Sequence, residues 1–396
     1  MRAARYRRGD RHRRRFWLIR GAVRRLTAAL FAAIDMAVPK RRRRMVLSAD
    51  KGLKYSGNPR QLFEWMVADG TWDAYWLTES PALLDELGAR FPGRVVPAWS
   101  LRALWLGLTA RWLGVSHSRY DLGPFAYLLR PRFLYLQHGA PLKTMGYLKA
   151  YYDPGVTSVA RSFGAITCCS PFEAELWQRA YRLPRERMWV TGVARNDRLF
   201  AAPIVALQEV PRGRKIVLFA PTYRESGVMA EYLPVPGMNG DQLIALLERH
   251  DATMLVRPHY YEWEAAAATV ARYGSDRLVS ADERRIAEVN DLLPLVDVLV
   301  TDYSSLYIDF LLLDRPIVFS CHDVERYARE RGFMIDYDTH TPGAKVRTPG
   351  QFLDALDREL AGADPFRDER ARLRRLFHSH GNGGASRRIA DRIAAG

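Results

Sequence analysis

One stretch of the sequence, residues 295–319, constrains the fold more than any other. It reads LVDVLVTDYSSLYIDFLLLDRPIVF. The apolar run at 296–300 is rich in β-branched residues, which is typical of a strand buried on both faces of a sheet. A polar turn at 301–305 precedes helical spacing at 306–313, and Asp314-Arg315-Pro316 ends that helix before a second apolar run. Strand, turn, helix and strand in this order predict one unit of a parallel α/β sheet.

The polar turn of this unit places Ser304 and Ser305 where a helix begins, at the carboxyl end of a strand. Free backbone N–H groups and the helix dipole favour a phosphate group at such a point. The simpler interpretation is that Asp302 and the two serines only cap the helix. The turn by itself is compatible with both interpretations.

The rest of the sequence alternates between strands and helices in two series. The first predicts strands at 45–48, 75–77, 95–96, 112–116, 133–136, 165–168 and 188–190, and the second at 216–219, 254–256, 278–279, 298–300 and 317–319. Residues 201–214 between them lack apolar periodicity and suit a linker. We therefore expect an α/β protein with two Rossmann-like domains that face each other across a cleft. The expected divisions are a basic arm at 1–44, an N-terminal domain at 45–205, a C-terminal domain at 212–365, and a C-terminal helix and tail at 366–396.

Positive charge is concentrated at the start of the chain. Residues 1–44 hold sixteen lysines and arginines against two aspartates, so +14 of the net charge of +16 lies there. The nearly neutral remainder argues against a broad nucleic-acid-binding surface on the folded body. Within the arm, Phe16, Trp17, Leu26 and Leu30 share one helical face beside arginines, which is typical of a helix in an anionic membrane interface. An unstructured arm and a nucleic-acid-binding arm are the alternatives, and the interleaved apolar residues favour the membrane.

The sequence offers few residues in patterns that bind metals. Cys168, Cys169 and Cys321 are too few and too unevenly spaced for a disulfide framework or a zinc site. We expect them to be small buried apolar residues instead. Because we find no Asp-x-Asp pair near the expected cleft, we expect no tightly bound metal and no other cofactor.

Several cationic and hydroxyl side chains follow predicted strands at the same edge of each sheet. His138 follows one strand and precedes a Gly-Ala-Pro turn, where a neutral imidazole can take a proton from a hydroxyl. Arg195, Thr222, Arg257 and His259 follow three other strands, and arginine and histidine suit pyrophosphate oxygens. Each residue alone is more simply a structural hydrogen-bonding or ion-pairing group. Their shared location at carboxyl strand ends predicts a ligand site.

Six motifs occur in order along residues 45–350: GNP around Asn58, QHGAPLK at 137–143, GVARND at 192–197, FAPTYR at 219–224, RPH at 257–259, and TDYSSLYIDFLLLDRPIVF. This set resembles the CDP-glycerol glycerophosphotransferase family, which comprises teichoic-acid primases and polymerases and their capsule-polymer relatives. The resemblance implies a glycosyltransferase-B-type fold. It also implies transfer of a polyol phosphate from CDP-glycerol or CDP-ribitol to a lipid-linked or saccharide acceptor. Members are typically peripheral proteins at the cytoplasmic face of the membrane.

The resemblance also implies roles for individual residues. His138 would be the catalytic base, and His259 would bind or protonate the donor phosphates. The donor-binding positions of the family fall on Gly139, Ala140, Pro141, Leu142, Arg195, Pro221, Thr222, Arg257, Pro258, Ser304, Ser305 and Asp309. Asp309 lies one helical turn after Ser305, where it could orient a donor hydroxyl or stay on the helix surface.

The mechanism expected from these roles is direct displacement at phosphorus. An acceptor hydroxyl, deprotonated by His138, attacks the β-phosphorus, and CMP leaves with its charge stabilised by Arg195, Arg257, His259 and the helix start. Two alternatives remain at this point. The chain could be a nucleotide-sugar glycosyltransferase of the same fold, or a non-catalytic scaffold that binds nucleotide and membrane.

Overall fold

The computed structural model describes residues 30–31, 33–130, 132–149, 162–202, 213–223 and 231–395. Within these ranges the first half of the chain forms a seven-stranded sheet in which all neighbours are parallel. The strand order is β3-β2-β1-β4-β5-β6-β7. These strands are β1 Arg41–Leu47, β2 Asp73–Thr78, β3 Val95–Pro97, β4 Ala110–Val115, β5 Phe133–Tyr135, β6 Phe163–Cys168 and β7 Met188–Val190.

The second half forms a six-stranded parallel sheet with the order β10-β9-β8-β11-β12-β13. Its strands are β8 Lys215–Phe219, β9 Ala252–Val256, β10 Leu278–Ser280, β11 Val298–Thr301, β12 Ile317–Ser320 and β13 Ala344–Val346. The order reverses between β1 and β4 in the first sheet and between β8 and β11 in the second. In open α/β sheets, ligands bind beyond the carboxyl ends of the strands at such reversals.

The following α-helices connect or cover the strands in the described ranges. They are α1 Gly57–Asp69, α2 Pro81–Arg90, α3 Leu101–Thr109, α4 Pro171–Tyr181, α5 Gly240–Arg249, α6 Trp263–Tyr273, α7 Val289–Leu292, α8 Leu306–Phe310, α9 Val324–Glu330, α10 Tyr337–His340, α11 Pro349–Leu360, α12 Arg367–Phe377 and α13 Ala385–Ala395. Short 3₁₀ helices include Arg119–Leu122 and Ala194–Phe200. In the part of the chain that is described, no helix has both the length and the apolarity to span a bilayer.

The central stretch 295–319 folds as its pattern predicts. All four residues of β11 are buried, because helices cover both faces of the second sheet. The helix after the turn is α8, and it tightens into a 3₁₀ turn at Leu311–Leu313. Asp314 then adopts a left-handed conformation before β12. The prediction of two parallel α/β sheets is confirmed. Strand β13 was not predicted, since its three residues form no apolar run.

Apolar packing joins the two halves of the chain. Leu142 and Leu176 of the first half lie in the same buried cluster as Tyr307, Met334 and other side chains of the second half. This shared core fixes the separation of the two sheets, because close-packed interiors resist sliding. The width of the cavity between the two sheets is therefore fixed on one side by this apolar cluster.

The C-terminal residues pack back onto the first half of the chain. Helix α12, predicted at 368–377, packs against α4. The expected tail contains a further helix, α13, whose Ile389 and Ile393 are buried against α1 and β1. The carboxylate of Asp197 accepts the first backbone N–H groups of α13, from Ala385 at 2.7 Å and Ser386 at 2.8 Å.

The basic arm does not end where the charge pattern suggested. Strand β1 begins at Arg41 rather than at residue 45, so four residues of the expected arm belong to the sheet. Arg44 is buried there and pairs with Asp73 at 2.6 Å. Asp35 is also buried, with Lys40 at 2.9 Å and Arg132 at 2.5 Å. Most of the predicted amphipathic helix lies outside the described residues, and the predicted domain limits remain predictions.

Candidate active site

The carboxyl ends of the two sheets face a cavity of about 460 Å³. Residues from both halves line it, including Lys54, Asn58, His117, His138, Arg195, Pro221, Arg257, Pro258, His259, Glu283, Glu288, Ser304, Ser305 and Asp309. The predicted convergence of distant strand ends is therefore observed for His138, His259 and Ser304, and the side chain of Ser304 is partly exposed to the cavity.

The loop after β5 presents His138 to the cavity. Gln137 precedes it in a left-handed conformation with φ 56°, and its side-chain amide donates to the Thr167 carbonyl at 2.8 Å and to Glu173 at 2.7 Å. These buried hydrogen bonds stabilise an uncommon backbone conformation. The next side chain, that of His138, is exposed to the cavity rather than packed in the core.

The contacts of the His138 ring favour one tautomer. Its Nδ1 lies 3.4 Å from the Ser116 carbonyl oxygen and 3.4 Å from the Tyr135 hydroxyl. Because a carbonyl oxygen only accepts, Nδ1 is the nitrogen that carries the proton in the neutral ring. Nε2 is then left as the basic nitrogen, as a general base requires.

The surroundings of His138 lower its pKa below the ordinary histidine value. Although part of the ring is open to the cavity, the surrounding protein atoms shield it from bulk water, and this desolvation is the main cause, followed by His117 and the positive charges of Arg195 and Lys143. The hydrogen bond to Ser116 opposes this shift. The imidazole is therefore neutral at physiological pH and able to accept a proton.

A second histidine, His117, lies directly against His138. The two rings are stacked, with centroids 4.3 Å apart and planes at 10°. His117 follows the end of β4, the strand next to β5, so the strand-end argument applied to His138 could also have identified it. The sequence interpretation omitted it because no motif of the resemblance includes it.

Arg195 and Asp309 form an ion pair between the two halves. Nε of Arg195 donates to Oδ2 of Asp309 at 2.8 Å, and both side chains are almost fully buried. The backbone N–H of Arg195 donates to Asn58, which is also buried, at 2.9 Å. The Asn58 amide in turn donates to the carbonyls of Leu136 at 2.8 Å and Gln137 at 2.9 Å. Asn58 therefore links the start of α1, the loop before His138 and the Arg195 segment.

These contacts change the expected roles of two residues. Asp309 is neither on the helix surface nor available without a partner, because it balances the charge of Arg195. A donor hydroxyl that contacts Asp309, as predicted, would have to share its carboxylate with the guanidinium of Arg195. The prediction that both residues contact a donor stays a prediction, and both line the cavity.

Arg257 is fixed by backbone carbonyls. Its guanidinium donates to the oxygens of Ala281 at 2.9 Å, Ile286 at 2.7 Å and Ala287 at 3.3 Å. Burial lowers the pKa of Arg257, and nearby acidic residues, Glu283 most strongly, oppose that shift. An arginine held by neutral acceptors in the cavity wall carries its charge to the cavity in a fixed position.

His259 follows Arg257 by two residues and stacks with aromatic rings. Its ring centroid lies 5.1 Å from that of Tyr223 and 5.5 Å from that of Tyr261. Burial lowers its pKa, as does the charge of Lys54. His259 is therefore mainly neutral at physiological pH before an anionic ligand arrives.

The turn after β11 joins two strand ends. Asp302 is buried and accepts the backbone N–H of Thr222 at 2.9 Å, which ties the end of β8 to the end of β11. The hydroxyl of Ser304 accepts the backbone N–H of Leu306 at 3.3 Å. A methyl group added to Gly139 would lie 2.5 Å from the hydroxyl oxygen of Ser305, so the loop after His138 touches this turn. Ser304 therefore both caps the start of α8 and lines the cavity.

Five of the predicted donor-binding residues are not among the residues that line the cavity. They are Gly139, Ala140, Pro141, Leu142 and Thr222. Leu142 is 3% exposed, and its side chain packs in the core that joins the two halves. Its backbone carbonyl accepts the N–H of Met334 at 2.8 Å, so this loop connects the halves. A donor contact by these five residues stays a prediction.

Ion pairs and hydrogen bonds also join the two halves. Lys54 pairs with Glu283 at 2.9 Å, and the backbone N–H of Gly57 donates to Glu288 at 2.8 Å. Arg198 pairs with Asp291 at 2.7 Å. In the described ranges, no group of three or more His, Cys, Asp or Glu side chains is arranged to hold a metal ion.

Comparison with known proteins identifies the family. A family model described as CDP-glycerol:poly(glycerophosphate) glycerophosphotransferase matches residues 30–395. A teichoic acid glycerol-phosphate transferase of Staphylococcus aureus is 27% identical over 372 residues, which cover 86% of this chain and 90% of that protein. A teichoic acid ribitol-phosphate polymerase of the same organism is 28% identical over 255 residues, which cover 60% of this chain but only 49% of the polymerase.

The fold has a relative among solved structures. The wall teichoic acid polymerase TagF superimposes with a TM-score of 0.72 at 22% identity, covering 95% of each chain. At this identity the likeness establishes the fold, and it agrees with the two facing Rossmann-like halves. The family assignment depends on the sequence match, which spans most of the chain. The chain therefore belongs to the CDP-glycerol:poly(glycerophosphate) glycerophosphotransferase family.

Proposed function

We propose that this protein transfers a polyol phosphate from a CDP-activated donor to a hydroxyl of an acceptor and releases CMP. One observation carries the proposal. A neutral imidazole, two arginines, a second histidine and a serine-rich helix start, contributed by strand ends of both sheets, line one cavity. Family membership gives the class of donor.

The reaction needs one bond to form and one to break. The acceptor oxygen attacks the β-phosphorus of the donor, and the bridging P–O bond to the CMP group breaks. Nε2 of His138 takes the hydroxyl proton, which suits its position on the cavity wall and the neutral form of the ring at physiological pH. CMP leaves with the electron pair of the broken bond.

Different groups of the cavity serve the two phosphates. Arg257 supplies a fixed positive charge, and His259 donates a hydrogen bond or takes up a proton as the diphosphate approaches. Ser304 and Ser305 add hydroxyl and backbone donors. Arg195 shares its charge with Asp309, so its contribution is to keep the two halves aligned and to add hydrogen-bond donors.

Glycerol phosphate is the first choice of transferred group. One relative, of which this chain covers 90%, is a teichoic acid glycerol-phosphate transferase. The ribitol-phosphate polymerase is covered to about half of its length. A lipid-linked or saccharide acceptor is part of the proposal, because the transferred phosphate must end on a hydroxyl.

The purified protein should be incubated with CDP-glycerol, CDP-ribitol and UDP-sugars, each with a lipid-linked or saccharide acceptor, and released CMP measured. We expect CMP only with a CDP-polyol and only when acceptor is present. His138→Ala should lower turnover by about 10²–10⁴-fold with its fold intact. UMP or UDP release would favour the glycosyltransferase alternative, and donor binding without turnover would favour the scaffold. Activity unchanged by EDTA would support the prediction that no bound metal is needed.

We also propose that the protein binds an anionic membrane through the arm and an adjoining surface of the first half. Trp99, Leu101 and Trp105, on and before α3, are 65%, 81% and 56% exposed. Residues 87–120 contain five arginines and no acidic residue. Exposed tryptophans beside arginines suit an interface with anionic lipid headgroups.

Vesicle sedimentation tests this membrane proposal. Deleting residues 1–29 or replacing both exposed tryptophans with serine should each weaken binding to phosphatidylglycerol vesicles, while activity on a soluble acceptor is kept. A serine at the exposed Phe200, far from α3 in sequence, is the control. Unchanged vesicle binding in both variants would contradict the proposal, and loss of nucleic-acid binding instead would favour the alternative for the arm.

A further inference from the structure

The stacked histidine His117 has no part in the proposed chemistry, yet a network of hydrogen bonds surrounds it. Its Nδ1 lies 2.8 Å from the hydroxyl of Ser116. That hydroxyl lies 3.1 Å from Oδ2 of Asp121 and accepts the backbone N–H of Asp50 at 3.2 Å. Asp121 is fully buried and accepts the backbone N–H groups of Ser116 at 2.9 Å and His117 at 2.8 Å.

The direction of these hydrogen bonds follows from the chemistry of the groups. The carboxylate of Asp121 only accepts, so the single hydroxyl hydrogen of Ser116 is donated to it. The hydroxyl oxygen is then an acceptor for His117, which must carry its proton on Nδ1. The basic nitrogen of His117 is therefore Nε2.

Ser116 holds both histidines. Its side chain receives Nδ1–H of His117 at 2.8 Å, and its carbonyl faces Nδ1 of His138 at 3.4 Å. Two parallel rings with the same tautomer result, both with an unprotonated Nε2. The buried carboxylate of Asp121 fixes the backbone of Ser116 and His117, so the pair is built on a rigid support.

We propose that His117 is a positioning residue for His138, and that Ser116 and Asp121 hold the two imidazoles as one unit. This inference rests on the proposed function of His138 as the base. His117 acts through His138 in two ways: its ring limits rotation of the His138 ring, and a neighbouring imidazole discourages a second positive charge at 4.3 Å. A positive charge on both rings at once is therefore disfavoured, and Nε2 of His138 stays unprotonated until it meets the acceptor hydroxyl.

The other charged or titratable groups around His138 do not replace His117 in this role. Arg195 and Lys143 also disfavour a charged His138, but the Arg195 charge is balanced by Asp309. Tyr135 faces Nδ1, on the opposite side of the ring from the basic nitrogen. Among the residues that the structure describes, His117 is the only one whose ring stacks on His138.

A double-mutant cycle separates positioning from a merely structural role. His117→Ala should lower kcat by about 10–100-fold with little change in the KM for donor, since a base displaced by about 1 Å loses a factor of this size. In a His138→Ala background the same change should alter kcat by less than about twofold, because the group that it positions is gone. His340 is not among the residues that line the cavity, and its ring stacks on that of Phe172 with centroids 5.5 Å apart. The control variant His340→Ala should therefore leave kcat unchanged in both backgrounds.

Titration of His138 gives a readout that does not need substrate. In the wild type the His138 ring signal, followed by NMR, should stay in its neutral form well below pH 6.5. His117→Ala removes a wall of the ring site and its neighbouring imidazole, so the titration midpoint should move up towards the ordinary value. His117→Phe keeps the stacked wall and should move it less.

Two results would overturn the inference: equal losses of kcat from His117→Ala in both backgrounds, or a His138 titration that the change leaves unmoved. A wild-type protein that releases no CMP from any CDP-polyol would instead refute the proposed function. In that case the NMR titration would still report whether His117 controls His138. The two failures are therefore distinguishable.

Discussion

Replacing Asp309 with asparagine tests how the protein holds Arg195 between its two halves. Nε of Arg195 and Oδ2 of Asp309 are 2.8 Å apart, and the two side chains are 10% and 4% exposed. Asparagine preserves the size of the side chain but removes its charge. The guanidinium would then remain buried without a counter-charge, which typically costs about 3–5 kcal/mol of the free energy of unfolding.

Thermal and urea unfolding measure this loss. For a domain of 150–250 residues each kcal/mol lowers Tm by about 2–4 °C, so we expect Asp309→Asn to lower the Tm of the unfolding unit by about 6–20 °C. The exposed pair Arg387–Asp391, 78% and 72% exposed with a separation of 3.9 Å, provides the control. Asp391→Asn should change the free energy of unfolding by less than about 0.5 kcal/mol.

A double variant separates charge from shape. Arg195→Met with Asp309→Leu removes both charges, and apolar replacement of a buried ion pair is often neutral for stability. We expect the double variant to recover most of the stability lost in Asp309→Asn while its transfer activity stays low, because the Arg195 donors that line the cavity are gone. A loss below 1 kcal/mol in Asp309→Asn, or a double variant no more stable than the single one, would refute this reasoning.

Three further predictions concern the cavity. Asn58→Ala removes three buried hydrogen bonds and should lower the free energy of unfolding by about 3 kcal/mol in urea titrations. Gly139→Ala places a methyl group 2.5 Å from the Ser305 hydroxyl and should lower kcat/KM at least tenfold, whereas Gly88→Ala, in α2 with open space around it, should leave kcat/KM unchanged. Because the pKa of His138 is lowered, its neutral form persists as pH falls, so kcat/KM should show no His138-dependent loss between pH 8 and pH 6.5. An acid limb centred at or above pH 6.5 that moves when His138 is replaced would contradict that reasoning.

The sequence predicted the sheets better than their ends. Apolar runs such as 298–300 and 317–319 are read directly as strands, because burial on both faces demands apolar residues. Strand β1 was placed four residues late, since its first residues are arginines whose role depends on neighbours such as Asp73. Helix α13 was missed because its isoleucines contact residues more than 300 positions earlier in the chain, which a local pattern does not reveal.

The candidate site was predicted as a location more accurately than as a set of roles. Strand-end position was enough to bring His138, His259 and Ser304 to one cavity. It did not reveal that Asp309 balances Arg195, or that Leu142 turns into the core, because both facts depend on packing between the halves. His117 also follows a strand end, but its ring-to-ring contact with His138 could be seen only in the structure.

The fate of the donor's β-phosphate tests the central claim most directly. CDP-glycerol labelled with ³²P at the β-position should be incubated with the protein and acceptor, and labelled and nucleotide products separated. Attack at the β-phosphorus predicts that the label moves to the acceptor in an amount equal to the CMP released, and that His138→Ala lowers both together. Label recovered in CDP, with an unlabelled acceptor, would show cleavage on the polyol side of the diphosphate and contradict phosphate transfer.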